Sequence, residues 1–261
     1  MNLFGHQKAA HEILTQLYTP ETITESVFTR VVLRWYARFD VFAGLMAGST
    51  TVLSKEWFVI HQRWLRKQLE VAPNNIDLMY EEVICAHRLA SMALSSLFCQ
   101  VKMNEIPFET FMAQNEEIGN LLTHWKDNLN PALLDPKWLV KDYTGAPPRD
   151  PNDIVDPYIP NSLYYGPLWP TNQVLLDAHG TLLMQKMNTS LILQNEASRD
   201  LAMNAFACCQ IFESIEYWPG SPKGSLMACQ AGLGIAALFL PQDRTHHMWL
   251  RRKFAIIEAQ G

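Results

Sequence analysis

Several groups of residues in this chain have types and spacings that could do chemistry. Gly232-Leu233-Gly234-Ile235-Ala236-Ala237 has the glycine spacing of a loop that lets backbone approach a dinucleotide diphosphate. That chemistry needs a strand before the loop and an acidic residue about twenty positions after it. Here a helical pattern precedes it, and Arg251-Arg252-Lys253 follows at that distance. The small residues therefore read as a close approach of helices. His246 and His247 are adjacent, and His6 and His11 are five apart. Neither spacing sets two rings on one side of a helix, and no cysteine pair has ligand spacing, so no metal is expected. Gly220-Ser221-Pro222-Lys223-Gly224 does not centre its serine as a nucleophile elbow does. Cys208 and Cys209 lie in an apolar helical run, where a free thiol acts as a small core residue. The acid pairs Glu81-Glu82 and Glu116-Glu117 read as solvated helix faces. No catalytic residue and no cofactor follow, and the chain reads as a non-enzyme. A helical enzyme would need a cleft with converging titratable groups.

The charges of most interest lie in an aromatic-rich stretch, Leu33-Arg34-Trp35-Tyr36-Ala37-Arg38-Phe39-Asp40-Val41-Phe42. Arg34 and Arg38 are four apart and share a helix face. One reading is an internal ion pair that ties this helix to a neighbour. The other is a polar anchor in a mostly apolar ligand pocket. On aromatic and cationic character, Arg38, Trp35, Phe42, Tyr164 and Trp169 are the candidate ligand-binding or lid residues. Core packing is the competing role for Trp35 and Phe42. The basic run Arg244, His246, His247, Arg251, Arg252 and Lys253 reads as a solvated final helix, with a phosphate-contacting patch as the alternative.

Helical periodicity runs almost throughout and positions these groups. Helices are expected over 6–18, from Val27 to Gly48, 54–70, 76–101, 107–129, 171–193, 196–216, 223–240 and 243–259. Thr19-Pro20, Ser54, Pro170 and Asp243 are start signals, and Gly48, Pro219-Gly220 and Pro241 are stops. In the second helix the apolar stripe is Val31, Val32, Trp35, Phe39, Phe42, Leu45 and Met46. No alternating strand and no fixed repeat is found. The expected fold is all-α: one antiparallel, bundle-like domain over 1–261, with eight or nine helices. Between its halves, 130–169 is irregular and holds more than half of the fifteen prolines. It also carries Trp138, Tyr143, Tyr158, Tyr164, Tyr165 and Trp169, so its ends are expected on the helical body as a lid, with 145–156 its mobile part.

Composition narrows the class. The chain is 48% hydrophobic and 18% charged, which excludes wholesale disorder. A net charge of -5 gives no general field for nucleic acid, so direct DNA binding is not expected. Five cysteines without framework spacing read as reduced thiols in an intracellular protein. The N-terminus has no signal-peptide pattern, and the apolar stretch Leu226–Leu240 is shorter than the ~20 residues a membrane span needs. No membrane association is expected.

Four stretches carry a resemblance. They are His6-Gln7-Lys8-Ala9-Ala10-His11-Glu12-Ile13-Leu14; Trp35 to Gly48 with Leu53 and Glu56-Trp57-Phe58; Cys209-Gln210-Ile211-Phe212-Glu213-Ser214-Ile215-Glu216; and Gly224-Ser225-Leu226 through Ala236-Ala237-Leu238-Phe239-Leu240-Pro241 to Trp249-Leu250-Arg251-Arg252-Lys253. Together they resemble the regulatory (middle homology) region of fungal zinc-cluster transcription factors. The resemblance implies an all-α regulatory domain acting in the nucleus, without catalytic residues. Such a domain answers a small-molecule effector, or pairs with a second copy or a full-length factor. The zinc-cluster DNA-binding domain needs six cysteines, beginning with a C-x2-C pair, and none of the five here fits. The likeness begins at His6 and stops at Gly261, where family members generally continue. A fragment of a longer factor and a shortened member that modulates a full-length partner both fit. A helical interaction scaffold without a pocket is the alternative reading.

Overall fold

The structure is a computed structural model and describes residues 3–124, 129–195 and 200–260. Among the described residues there are nine α-helices and no β-strand, only an isolated antiparallel bridge between Leu139 and Tyr164. The protein is all-α. The chain divides into two compact units, Met1–Leu129 and Asn130–Gly261, with the boundary at the start of the proline-rich segment.

The first unit contains α1 (Leu3–Leu17), α2 (Val27–Ala47), α3 (Lys55–Val71), α4 (Ile76–Lys102) and α5 (Phe108–Thr123). Helix α4 is its centre and packs against α2, α3 and α5. Leu33, Leu45, Leu65, Leu94, Leu97, Phe98 and Phe111 are fully buried around it. Each such side chain contributes roughly 1.5–3 kcal/mol on leaving water. By length and composition α4 could cross a membrane, but half of its most apolar window is buried inside the protein.

Three sequence expectations change here. Thr19-Pro20 does not open a long helix. Thr19 closes a turn with Thr22, a short 3-10 helix covers Thr22–Thr24, and α2 starts after Ser26. Ser26 and Thr29 form a reciprocal capping box, which satisfies two orphan donors where Thr19 satisfies none of α2's. The buried face of α2 is also rotated from the expected stripe. Leu33, Tyr36, Ala37, Asp40, Val41 and Gly44 face inward, while Trp35 and Met46 are 68% and 55% exposed. The turn decides this: Asp40 and Tyr36 have partners inside, so polar groups occupy the core face that a purely apolar pattern would not assign them. Finally α5 ends at Thr123. The remainder of the expected 107–129 helix falls partly on 125–128, outside the described residues. At the other end of α2, Gly48 takes a φ of 62°, and a Cβ there would meet Lys102 Nζ. Only glycine ends the helix this way without strain.

The second unit contains α6 (Pro170–Leu193), α7 (Asp200–Tyr217), α8 (Gln230–Ala237) and α9 (Arg244–Glu258). Helices α6, α7 and α8 pack on one another. The single helix expected over 223–240 is instead a 3-10 helix, Ser225–Cys229, followed by α8. A Cβ on Gly232 would lie 2.6 Å from Leu176 Cγ, so this glycine lets α8 press onto α6. A Cβ on Gly234 would meet open space. One glycine of the dinucleotide-like spacing is therefore a packing residue, as a helix contact requires. Asp243 caps α9 by accepting from the His246 N–H at 3.0 Å.

The segment 130–169 contains three short 3-10 helices, Pro131–Leu134, Pro136–Trp138 and Gly166–Leu168. The part expected to be loose, 145–156, is tied at several points. The Asp150 N–H donates to Tyr217 Oη at 3.0 Å, and Arg149 Nη2 donates to the Asp153 carbonyl at 2.8 Å. Asp153 itself is buried among cations.

Candidate functional site

In the first unit the polar residues converge inside α2, α3 and α4. Arg30 Nε donates to Glu81 Oε2 at 2.7 Å, and both side chains are buried. His61 Nε2 lies 3.5 Å from the same oxygen. Burial alone would raise the Glu81 pKa, but the His61 ring beside it, the hydrogen bond and charge of Arg30 and the charge of Arg34 hold it below the usual value. The Arg30 guanidinium also lies 4.7 Å from the Trp64 ring centroid. Sequence reasoning missed this pair because Glu81 sits beside Glu82 and reads as a surface acid. Glu81 is 5% exposed, which corrects that reading, while Glu116 and Glu117 are exposed as expected. A cavity of about 10 Å³ lies against Arg34, His61, Glu81, Cys85 and Arg88, the size of one water molecule. No metabolite fits there.

Asp40 is the second buried charge. It accepts from the backbone N–H groups of Val52 and Leu53 at 2.9 Å each and from Gln7 Nε2 at 2.5 Å. Tyr36 Oη donates to the Gln7 carbonyl at 3.2 Å. One carboxylate thus ties α1, α2 and the turn before α3. The expected tie between α2 and its neighbours exists, but Asp40 makes it to amides, and the ion pair belongs to Arg30.

The candidate ligand residues divide between the units. Arg38 and Phe42 come together: the guanidinium carbon lies 5.8 Å from the Phe42 ring centroid, and that of Arg88 lies 5.9 Å from it. Phe42 is buried and is a core residue with two cationic neighbours. Trp35 is exposed, so the expectation of core packing fails for it. Tyr164 and Trp169 lie in the second unit. Asn172 clamps the Tyr164 backbone, accepting from its N–H and donating to its carbonyl at 2.8 Å each. Trp169 stacks on Trp218, with centroids 5.7 Å apart and planes at 21°. Trp138 meets Tyr165, and Tyr158 meets Tyr143 and Tyr217, all edge-on. The aromatics of 130–169 therefore fasten that segment to its own unit.

A larger buried ion network occupies the second unit and was not legible in the sequence. Lys253 is 1% exposed, and its Nζ lies 2.7 Å from Glu216, 3.0 Å from Asp153 and 3.4 Å from Glu213. Arg252 binds Asp150 at 2.7 Å and Asp153 at 2.8 Å. Tyr217 Oη donates to Asp153 at 2.5 Å, and Trp249 Nε1 donates to Glu213 Oε1. The basic end of α9 is thus not wholly solvated, because Arg252 and Lys253 turn inward.

Four carboxylates, Asp150, Asp153, Glu213 and Glu216, surround two cations in this network. That excess of negative charge is expensive where water is excluded. Burial pushes the Glu213 carboxyl up to about 7, outweighing the attraction of Lys253. Glu213 Oε2 has no hydrogen-bond partner. Burial also raises Glu216, while the surrounding carboxylates raise Lys253 against burial. A carboxyl near neutrality beside an amine resembles general acid–base machinery. Its solvent access argues otherwise: Glu213 is 0% and Lys253 1% exposed, so a substrate does not reach them. The network is a fastener between α7, α9 and the 150–153 turn.

The five cysteines are free, and burial pushes Cys85 and Cys208 up to about 12, so these two are poor nucleophiles at neutral pH. Among the described residues no group of three His, Cys, Asp or Glu side chains could hold a metal ion. Compared with protein families, with curated proteins and with solved structures, the chain matches none.

Proposed function

We propose that this chain is a regulatory domain of the kind found in fungal zinc-cluster transcription factors, acting in the nucleus through a small effector, self-association or a full-length partner. One observation carries the reading. The four stretches that bear the resemblance meet in pairs through buried polar contacts. Gln7 of the first donates to Asp40 of the second, and Glu213 and Glu216 of the third bind Lys253 of the fourth, with Trp249 also on Glu213. Residues of that kind mark a shared packing plan, not a catalytic constellation, and a regulatory domain needs no more. Native mass spectrometry of the intact chain tests this reading. A reproducible adduct of small-molecule mass or a dimer supports it, and a clean monomer that stays monomeric with added full-length factor counts against it.

A second reading, a helical interaction scaffold, is favoured by the apolar side chains that the first unit leaves in water. Ile13 and Leu17 on α1, and Val27, Phe28 and Trp35 on α2, are each more than half exposed. Exposed apolar groups of this size commonly mark contact surfaces. A dimer without any adduct would favour this version.

A further inference from the structure

The second unit carries an open groove of about 690 Å³ between the 150–153 turn and the outer face of α9. Arg244, Met248 and Arg251 line one side at spacings of four and three, so they share a face of α9. Arg244 and Arg251 stand about 10 Å apart along the helix axis. Both are exposed, and neither pairs with a carboxylate among the described residues. Arg252, also on α9, and Asn152 of the turn complete the lining, and both are held. Asp150 and Asp153 fix the Arg252 guanidinium, and Asn152 binds Asp150 Oδ1 through its backbone N–H at 2.8 Å and its Nδ2 at 2.9 Å. Buried Trp249 lies beneath, and Met248 offers a half-exposed apolar surface between the two arginines.

The charge balance of the groove is uneven. The acids nearby have fixed partners: Asp150 and Asp153 hold Arg252, Asp153 also holds Lys253, and Asp243 lies on the His246 ring, so the wall that carries Asn152 is acidic and the positive charge lies on the Arg244–Arg251 side. The first turn of α9 is capped by Asp243, so the helix end adds little pull on an anion. Arg244 and Arg251 bring two exposed guanidinium groups, neither paired with a carboxylate among the described residues, to this concave surface. Guanidinium forks match phosphate oxygens in geometry and charge.

We propose that this groove binds a small phosphate-bearing anion, a diphosphate or an organic phosphomonoester, held by Arg244 and Arg251 against the fixed wall of Arg252 and Asn152. Met248 gives an organic ester an apolar contact that inorganic diphosphate lacks. The site needs only the groove and stands whether or not the regulatory reading holds.

The test is calorimetric titration of the full chain with inorganic pyrophosphate and with phenyl phosphate at fixed ionic strength. The R244A/R251A double variant and an R63A/K67A control are compared with the native chain. The control removes the same charge from the exposed face of α3. Saturable one-to-one binding of either probe is expected. It should weaken at least about tenfold in R244A/R251A, since charge-assisted contacts are the stronger class, and stay unchanged in R63A/K67A. Tighter binding of phenyl phosphate assigns the site to organic esters, and tighter pyrophosphate to diphosphates. Both arginines are exposed, so folding of the double variant is expected to be intact and is checked by circular dichroism. The proposal is overturned by failure of both probes to saturate, by equal loss in the control, or by unchanged binding in the double variant. Binding of a polyglutamate peptide without either phosphate would also overturn it, marking an acidic-peptide surface.

Discussion

Glu213→Gln should change how the second unit responds to pH. Glu213 is wholly buried, with one oxygen on Trp249 and Lys253 and the other without a hydrogen bond. Its carboxyl is pushed from 4.5 up to about 7. Below pH 4.5 the folded and unfolded chains both hold this proton. Between 4.5 and about 7 only the folded chain holds it, so the native state loses stability as pH rises. Above about 7 both states are ionised and the full penalty stands. The difference in pKa, which already includes the attraction of Lys253, corresponds to about 3 kcal/mol. Glutamine cannot ionise. The variant should therefore gain about 3 kcal/mol relative to the native chain between pH 4.5 and 8. The constant cost of an unpartnered amide cancels in that comparison, as do the shifts of the exposed acids. The assay is urea unfolding at constant ionic strength, followed by hydrogen exchange in α7 and α9 peptides. Parallel stability curves for the two proteins across this range would refute the reasoning.

Other perturbations have definite expectations. Asp40→Ala leaves the Val52 and Leu53 N–H groups and the Gln7 amide without their acceptor, and should cost the first unit about 3–5 kcal/mol in denaturant unfolding, against about 1–2 for Asp40→Asn. Arg30→Met strands a buried Glu81 and should cost about 3–5 kcal/mol, while Arg30→Met with Glu81→Leu should recover most of it, as a double-mutant cycle would show. Phe42→Ala should cost about 3–5 kcal/mol and Trp35→Ser within about 0.5 kcal/mol, because one ring is core and the other solvent-exposed. Equal thermal shifts for these last two would refute the rotated face of α2.

The helices were legible where a start signal and a stop agreed with the period. Asp243 before α9, Pro170 before α6 and Gly48 after α2 all act as the residues suggest. Thr19 misled because its hydroxyl serves a local turn, accepting from the Thr22 N–H, while Ser26 is the residue that caps α2. The buried charges were the least legible. Glu81 beside Glu82, and Lys253 beside Arg251 and Arg252, look like surface residues in one dimension. Only the partners across helices, Arg30 and the Glu213–Glu216 pair, make burial tolerable, and sequence spacing does not reveal a partner dozens of positions away. Phe42 and Trp35 show the same limit, since both fit an apolar stripe and a turn of the helix decides between them.

The measurement closest to the central claim is a tethered reporter. The whole chain is fused to a heterologous DNA-binding module that lacks an activation region, and reporter output is read in a fungal host. Reporter output should differ from that of the module alone, in either direction, and should move toward the module's level when Asp40→Ala destabilises the first unit. A folded fusion, present in the nucleus and giving the module's output unchanged, would contradict it.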